Sequence, residues 1–159
     1  MPRHAEKRRL AYSAEQVFDL VADIERYPEF LPWCLDARIR DRHGDSVHAE
    51  LVIGFRMIRE RYSSLVTFAR PHGIDVTYTH GPFEHLDNHW RFAPDGPGAC
   101  LVDFHVEFEF RSRLLRAVMN PLFHEAVRRM VAAFETRASR LYGPPAAGAR
   151  VKVAEPTVP

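Results

Sequence analysis

The run from Asn120 to Leu141 constrains the fold more than any other stretch of the chain. Asn120 suits a helix N-cap, and Pro121 suits the first helical position, where its missing N–H costs nothing. Leu122, Val127, Met130, Val131, Phe134, Ala138 and Leu141 recur at spacings of three and four and make one apolar stripe. Arg128, Arg129, Arg137 and Arg140 fall largely off that stripe, and Gly143-Pro144-Pro145 ends the pattern. A stripe this long must be buried against a long partner.

Residues 36–111 supply that partner as strands. Ala37–Arg42 is a first run and turns at Gly44-Asp45. Val47, Ala49, Leu51, Ile53, Phe55 and Met57 then share a face, followed by a weaker alternation over 59–68 and a turn at Pro71-His72-Gly73. Ile74, Val76 and Tyr78 alternate before Gly81-Pro82, and Leu86, Trp90 and Phe92 share a parity before Asp95-Gly96-Pro97-Gly98. The clearest strand comes last. Val102, Phe104, Val106, Phe108 and Phe110 point one way, while Asp103, His105, Glu107, Glu109 and Arg111 point the other. One dry face and one wet face describe an antiparallel sheet covered on a single side. Such a meander would curve and wrap the helix.

Upstream, residues 3–11 read as a strand ending near Leu10-Ala11-Tyr12. Ser13 and Gln16 form a capping box for a helix that carries Val17, Leu20, Val21 and Ile24 on one side. That helix is expected to stop near Arg26, because Pro28 disfavours helical geometry at Tyr27. Tyr27, Phe30, Leu31 and Trp33 then crowd between and beside two prolines, which fits a short helical turn with an extended exit. Such a segment either plugs one end of the core or lines the mouth of a ligand cavity. The fold class expected is α+β, with residues 1–142 as a single domain and 143–159 as a disordered tail rich in Pro, Ala and Gly.

The net charge is 22 − 21 = +1, which gives no argument for DNA as a partner. Between Arg111 and Arg140, however, seven arginines face only Glu125 and Glu135. Either this is a solvated helix face or it meets an anionic surface such as lipid headgroups or RNA. No apolar run approaches the ~18 residues of a membrane span, and the basic N-terminus lacks the apolar core of a signal peptide. Cys34 and Cys100 lack disulfide-framework or zinc spacing and suit reduced thiols. A cytoplasmic protein is expected, in contact with a membrane only at its surface.

Sites for chemistry are scarce. His85 and His89 are four apart in a strand, which separates them by about 13 Å. His-Glu-x-x-His, Gly-x-Ser-x-Gly and a Walker loop are all missing. No metal and no catalytic set is expected. What remains is an apolar interior rich in aromatics, with eleven Phe, five Tyr and two Trp, which either packs solid or leaves a cavity for an apolar ligand. Phe55, Tyr78, Phe104, Val106, Leu122 and Met130 are the cavity-facing candidates by parity, with Tyr62 or Tyr78 as polar tips.

Tyr27-Pro-x-Phe-Leu-Pro-Trp-Cys34, Gly81-Pro-Phe-x-x-Leu86, Trp90-x-Phe92 and Phe134-Glu-x-Arg-Ala138 together resemble the coenzyme Q-binding proteins. That family also holds the bacterial ribosome association toxins and belongs to the START-like superfamily. The resemblance spans residues 3–142. It implies a helix-grip fold, about seven antiparallel strands clasping the C-terminal helix. It also implies non-enzymatic binding of ubiquinone or a related prenyl lipid as ligand rather than cofactor, with transient contact at the cytoplasmic face of the inner membrane. The toxin branch implies the large ribosomal subunit as an alternative partner. Carried onto this chain, Tyr27, Phe30, Leu31, Pro32 and Trp33 would border the cavity entrance, and Trp90 and Phe92 would line a wall.

Overall fold

The computed structural model describes residues 2–55 and 57–144. Seven antiparallel strands form one sheet: β1 (Arg3–Leu10), β2 (Cys34–His43), β3 (Ser46–Phe55), β4 (Ile58–Ala69), β5 (Gly73–His80), β6 (Phe83–Pro94) and β7 (Cys100–Phe110). Their spatial order is β1-β7-β6-β5-β4-β3-β2, so only the first strand leaves the meander, to pair with the last. Between β1 and β2 run α1 (Ala14–Ala22) and a 3₁₀ segment, Ile24–Glu29. After β7 come α2 (Arg113–Met119), a 3₁₀ turn at Asn120–Leu122 and α3 (Phe123–Tyr142). This is the α+β helix-grip arrangement.

The capping box forms as the sequence predicts. Ser13 Oγ accepts from the Gln16 N–H at 3.1 Å, and Gln16 Oε1 accepts from the Ser13 N–H at 3.0 Å. Tyr12 and Tyr142 lock the two helical layers, donating to the Gly143 and Gln16 carbonyls at 2.9 and 3.0 Å. The dry face of the sheet and the helices share one core, which includes Phe18, Leu20, Val47, Val66, Phe92, Phe104, Phe123 and Phe134.

Several local expectations are corrected. Helix α1 ends at Ala22, and Pro28 sits inside the 3₁₀ segment rather than ending an α-helix at Arg26. The C-terminal helix does not start at Asn120. Ser112 caps an earlier helix by accepting from the Leu115 N–H, and Asn120 has helical dihedrals, with its N–H still bonded to the Arg116 carbonyl. Pro121 has no N–H to continue the ladder, so the chain tightens to 3₁₀ there and restarts as α3. The register of α3 buries Phe123, which the stripe left out, and leaves Leu141 exposed. Met57 leaves the inner face of β3 for the hairpin tip, where it is 98 % exposed. The predicted tail, beyond Pro144, lies outside the described residues.

Candidate functional site: an apolar cavity in the grip

The aromatic alternation delivers two different ends to the space between sheet and helix. At one end α1 and the 3₁₀ segment press on α3 and the interior is filled but for one small hollow. Phe134 meets Tyr27, Phe30 and Trp90 with ring centroids 5.7, 5.3 and 5.4 Å apart, all edge-on. Phe18 and Phe92 pack beside them at 5.9 Å.

At the other end the wall and the helix stand apart and leave a cavity of about 200 Å³. Trp33, just ahead of β2, joins Ile53, Phe55 and Ile58 on its β3–β4 side, and Phe83, Leu86, Val106, Phe108 and Phe110 form its β6–β7 side. Met119 and Leu122 roof it from the α2–α3 junction, while Phe123, Ala126, Val127 and Met130 descend from α3. The half-buried residues Trp33, Phe55, Ile58, Met119 and Leu122 mark where it opens. Its volume exceeds the roughly 150 Å³ of an engineered apolar cavity that stays dry and binds benzene. It falls below the about 300–1,000 Å³ of pockets that enclose a whole drug-sized ligand. A ring-sized guest fits, and a long chain must lead out through the mouth.

Three lining side chains carry nitrogen or oxygen, Trp33, Glu60 and Tyr62. Burial, with a smaller contribution from Cys34, pushes the Tyr62 phenol well above its ordinary range, so it stays protonated. Its hydroxyl makes no hydrogen bond among the described residues and is a donor in waiting. Gly81 makes the close approach behind it: with φ +144°, a Cβ there would lie 2.6 Å from the Tyr62 Cβ. Glu60, opposite Ile53, has no ion-pair partner among the described residues.

Of the residues predicted at the site, Trp33, Phe55, Val106, Leu122 and Met130 line this cavity. Trp90 and Phe104 instead border a second hollow of about 40 Å³, shared with Glu6, Arg8, Phe134 and Glu135. Tyr27, Phe30 and Leu31 plug the filled end: the Tyr27 hydroxyl donates to the Val21 carbonyl, and Leu31 is buried in the core. Pro32 is exposed, and Phe92 is core. Tyr78 turns away and accepts from the Phe83 N–H at 3.1 Å. Sequence parity missed Phe83 and Phe123 as lining residues; a GlyProPhe turn and the restart after Pro121 are the only signals that could have found them.

The basic face is also redistributed. Arg137 folds inward, its guanidinium 5.1 Å over the Phe30 ring and 3.2 Å from Glu29. Arg129 pairs with Glu125 at 2.8 Å. Arg128 and Arg140 remain exposed and carry no ion pair among the described residues. Cys34 donates its thiol to the Asp36 carbonyl at 3.5 Å, and burial, reinforced by Asp36, pushes its pKa up to about 11. It is a packed thiol, held protonated by its surroundings. No described helix is long and apolar enough to cross a membrane.

Residues 10–135 match the family described as polyketide cyclase/dehydrase and lipid transport. The chain is 37% identical over 157 residues to the mitochondrial coenzyme Q-binding protein COQ10 homolog B of Xenopus laevis, covering 94% of itself but only 64% of that relative. It is 35% identical over 134 residues to the ribosome association toxin RatA of Pseudomonas aeruginosa, covering 84% of itself and 93% of the toxin. A START superfamily protein from Mycobacterium smegmatis superposes with a TM-score of 0.76 at 22% identity, over 87% of this chain and 98% of that one.

Proposed function

Because the chain belongs to the polyketide cyclase/dehydrase and lipid-transport family, in the branch of the coenzyme Q-binding proteins and ribosome association toxins, we propose that its cavity holds the ring end of an isoprenoid quinone without transforming it. The observation that carries this reading is the cavity of about 200 Å³, apolar on nearly every side, with the unpartnered Tyr62 hydroxyl in its wall. Each 100 Å² of guest surface removed from water contributes about 2.5 kcal/mol. A ring and its first isoprene unit would be held by area burial, and the Tyr62 O–H would donate to one quinone oxygen. The remaining tail would leave past Trp33, Phe55 and Leu122.

The rim suits a lipid surface. Met57 at the β3–β4 tip and Leu114 on α2 are 98 % and 73 % exposed, and Val118 directly precedes the lining residue Met119. Arg113 lies on the same short helix as Leu114. In this reading the mouth, not the outer face of α3, docks on the cytoplasmic face of the inner membrane, and cargo passes without crossing water. The test is titration of the purified chain with a short-tailed ubiquinone, followed by quenching of Trp33 fluorescence, alongside mass spectrometry of lipids extracted from the protein as purified. Saturable quenching that weakens roughly five- to tenfold in Tyr62→Phe supports the reading. Absence of both saturable binding and any co-purified prenyl lipid rejects it.

A second reading rests on the match to the toxin over most of its length, together with the exposed Arg128 and Arg140. In it the chain binds the large ribosomal subunit through RNA phosphates. Co-sedimentation with large subunits would then fall steeply with salt and be reduced in Arg128→Ala/Arg140→Ala. Sedimentation indifferent to both salt and charge would remove it.

A further inference from the structure

The outer face of the same strands carries a cluster that the cavity does not use. In β6, Leu86 points into the grip, while His85, Asp87 and His89 point out; in β7, Val106 points in, while His105 and Glu107 point out. Along one strand these histidines are far apart. Across the ladder they are neighbours, because His89 pairs with His105 and Asp87 pairs with Glu107. We propose that Asp87, His105 and Glu107 form a site for a divalent transition metal of the zinc type, with water completing the coordination.

Three observations point there. First, Asp87 and Glu107 are like charges directly opposite each other, an arrangement that destabilises a strand pair, with Arg3 across from Glu107 on its other side. Second, the far oxygens of both carboxylates are already engaged. Asp87 Oδ1 lies 2.8 Å from His89 Nε2, and Glu107 Oε1 lies 3.1 Å from His85 Nε2. His89 is anchored in turn by Asp75 at 2.6 Å. These contacts hold the carboxylates as second-sphere partners do at metal sites. Third, the near oxygens converge on His105 without bonding to it: His105 Nε2 is 3.8 Å from Asp87 Oδ2 and 4.0 Å from Glu107 Oε2.

Those separations are too long for hydrogen bonds. Donors that share a tetrahedral zinc at 2.0–2.2 Å lie roughly 3.3–3.6 Å apart. The three donor atoms all fall within 4.8 Å of one another, so a small rotation of the Glu107 side chain closes the set around one ion. One imidazole with two carboxylates favours zinc over magnesium or calcium, which take oxygen alone. Ala5, the β1 partner of His105, sets only a methyl beside the ring, and all three ligands are half-buried, open to an ion from solvent.

The test is isothermal titration of the chelator-treated, untagged full chain with zinc chloride, repeated with cobalt(II) to read ligand-field bands. One equivalent of metal is expected, with affinity falling at least tenfold in His105→Gln and in Asp87→Asn. His48→Gln, which lies outside the cluster, should leave it unchanged. Zinc should raise the melting temperature of the parent chain and of His48→Gln but not of the cluster variants. These substitutions sit on the outer face, and retention of the parent far-UV spectrum will separate lost ligation from lost fold. The proposal is overturned if no one-equivalent binding occurs, or if binding survives unchanged in both cluster variants.

Discussion

The two ends of the grip are built from the same ingredients and come out differently. Both stack aromatic residues from alternating strands against α3. At the filled end Phe134 is enclosed by Tyr27, Phe30 and Trp90; at the hollow end Phe83 is enclosed by Tyr62, Tyr78, Phe108 and Phe110, with centroids 4.7–5.6 Å away, yet a cavity remains beside it. The difference lies in what covers them. Helix α1 and the Ile24–Glu29 segment bring their own side chains down onto α3 at one end. Among the described residues, the other end is closed only by Trp33 and by the α2–α3 junction, whose 3₁₀ turn lifts the chain where Pro121 interrupts the α-helix. Aromatic content therefore does not distinguish a core from a binding site; the presence of a third layer does.

That contrast fails most visibly if truncation costs the same at both ends. Phe134→Ala should destabilise by about 3–5 kcal/mol, as expected for a large side chain removed from a packed site, and should leave quinone affinity nearly intact. Leu122→Ala, which borders space that is already open, should cost about 1 kcal/mol or less. Urea denaturation of the two variants makes the comparison. Equal losses would mean that the hollow end is packed in solution.

The converse substitution fills the hollow. Val106→Phe projects a ring from a strand into the cavity, where β propensity favours it. Quinone affinity should fall at least tenfold while the melting temperature holds or rises, since cavity filling commonly stabilises. A variant that loses stability and keeps its ligand would place the guest elsewhere.

Much of this architecture is legible in the chain. The period-two pattern of 102–110 assigns each side chain of β7 to its face, and Ser13 with Gln16 announces α1 by its own chemistry. What periodicity cannot convey is which part of the dry face is left uncovered, because that depends on where α1 and α3 cross it. Of the two roles the residues allow, plug or mouth, Tyr27 and Phe30 take the plug rather than the entrance the family resemblance implies, drawing Arg137 over Phe30. The spacing of about 13 Å that separates His85 from His89 along a strand is silent about β7, whose register sets His105 beside His89. Asn120-Pro121 looks like a helix start because a break and a start share the same residues.

Strand β1 holds the smallest and most specific test of the contrast. Its inward residues are His4, Glu6 and Arg8, so an edge strand feeds charge into the margin of the filled end, around the 40 Å³ hollow. Glu6 is held there by His4 at 2.9 Å and Arg8 at 3.4 Å, and Arg8 reaches on to Glu135. The His4 hydrogen bond, opposed by burial and aided by the Arg8 charge, keeps the Glu6 carboxyl below its ordinary value of 4.5. A carboxylate with a depressed folded pKa contributes stability that is fully present above the unfolded value and is lost as pH falls through the folded one. Glu6→Gln should therefore cost about 1 kcal/mol at neutral pH. The gap between parent and variant should hold down to about pH 4.5 and close below it, since the other paired acids titrate in both proteins and cancel. Chemical denaturation of the two chains from pH 7 to pH 3 reads that gap directly. A difference that persists at acid pH would show that Glu6 acts by shape rather than by charge. The filled end would then owe its closure to packing alone.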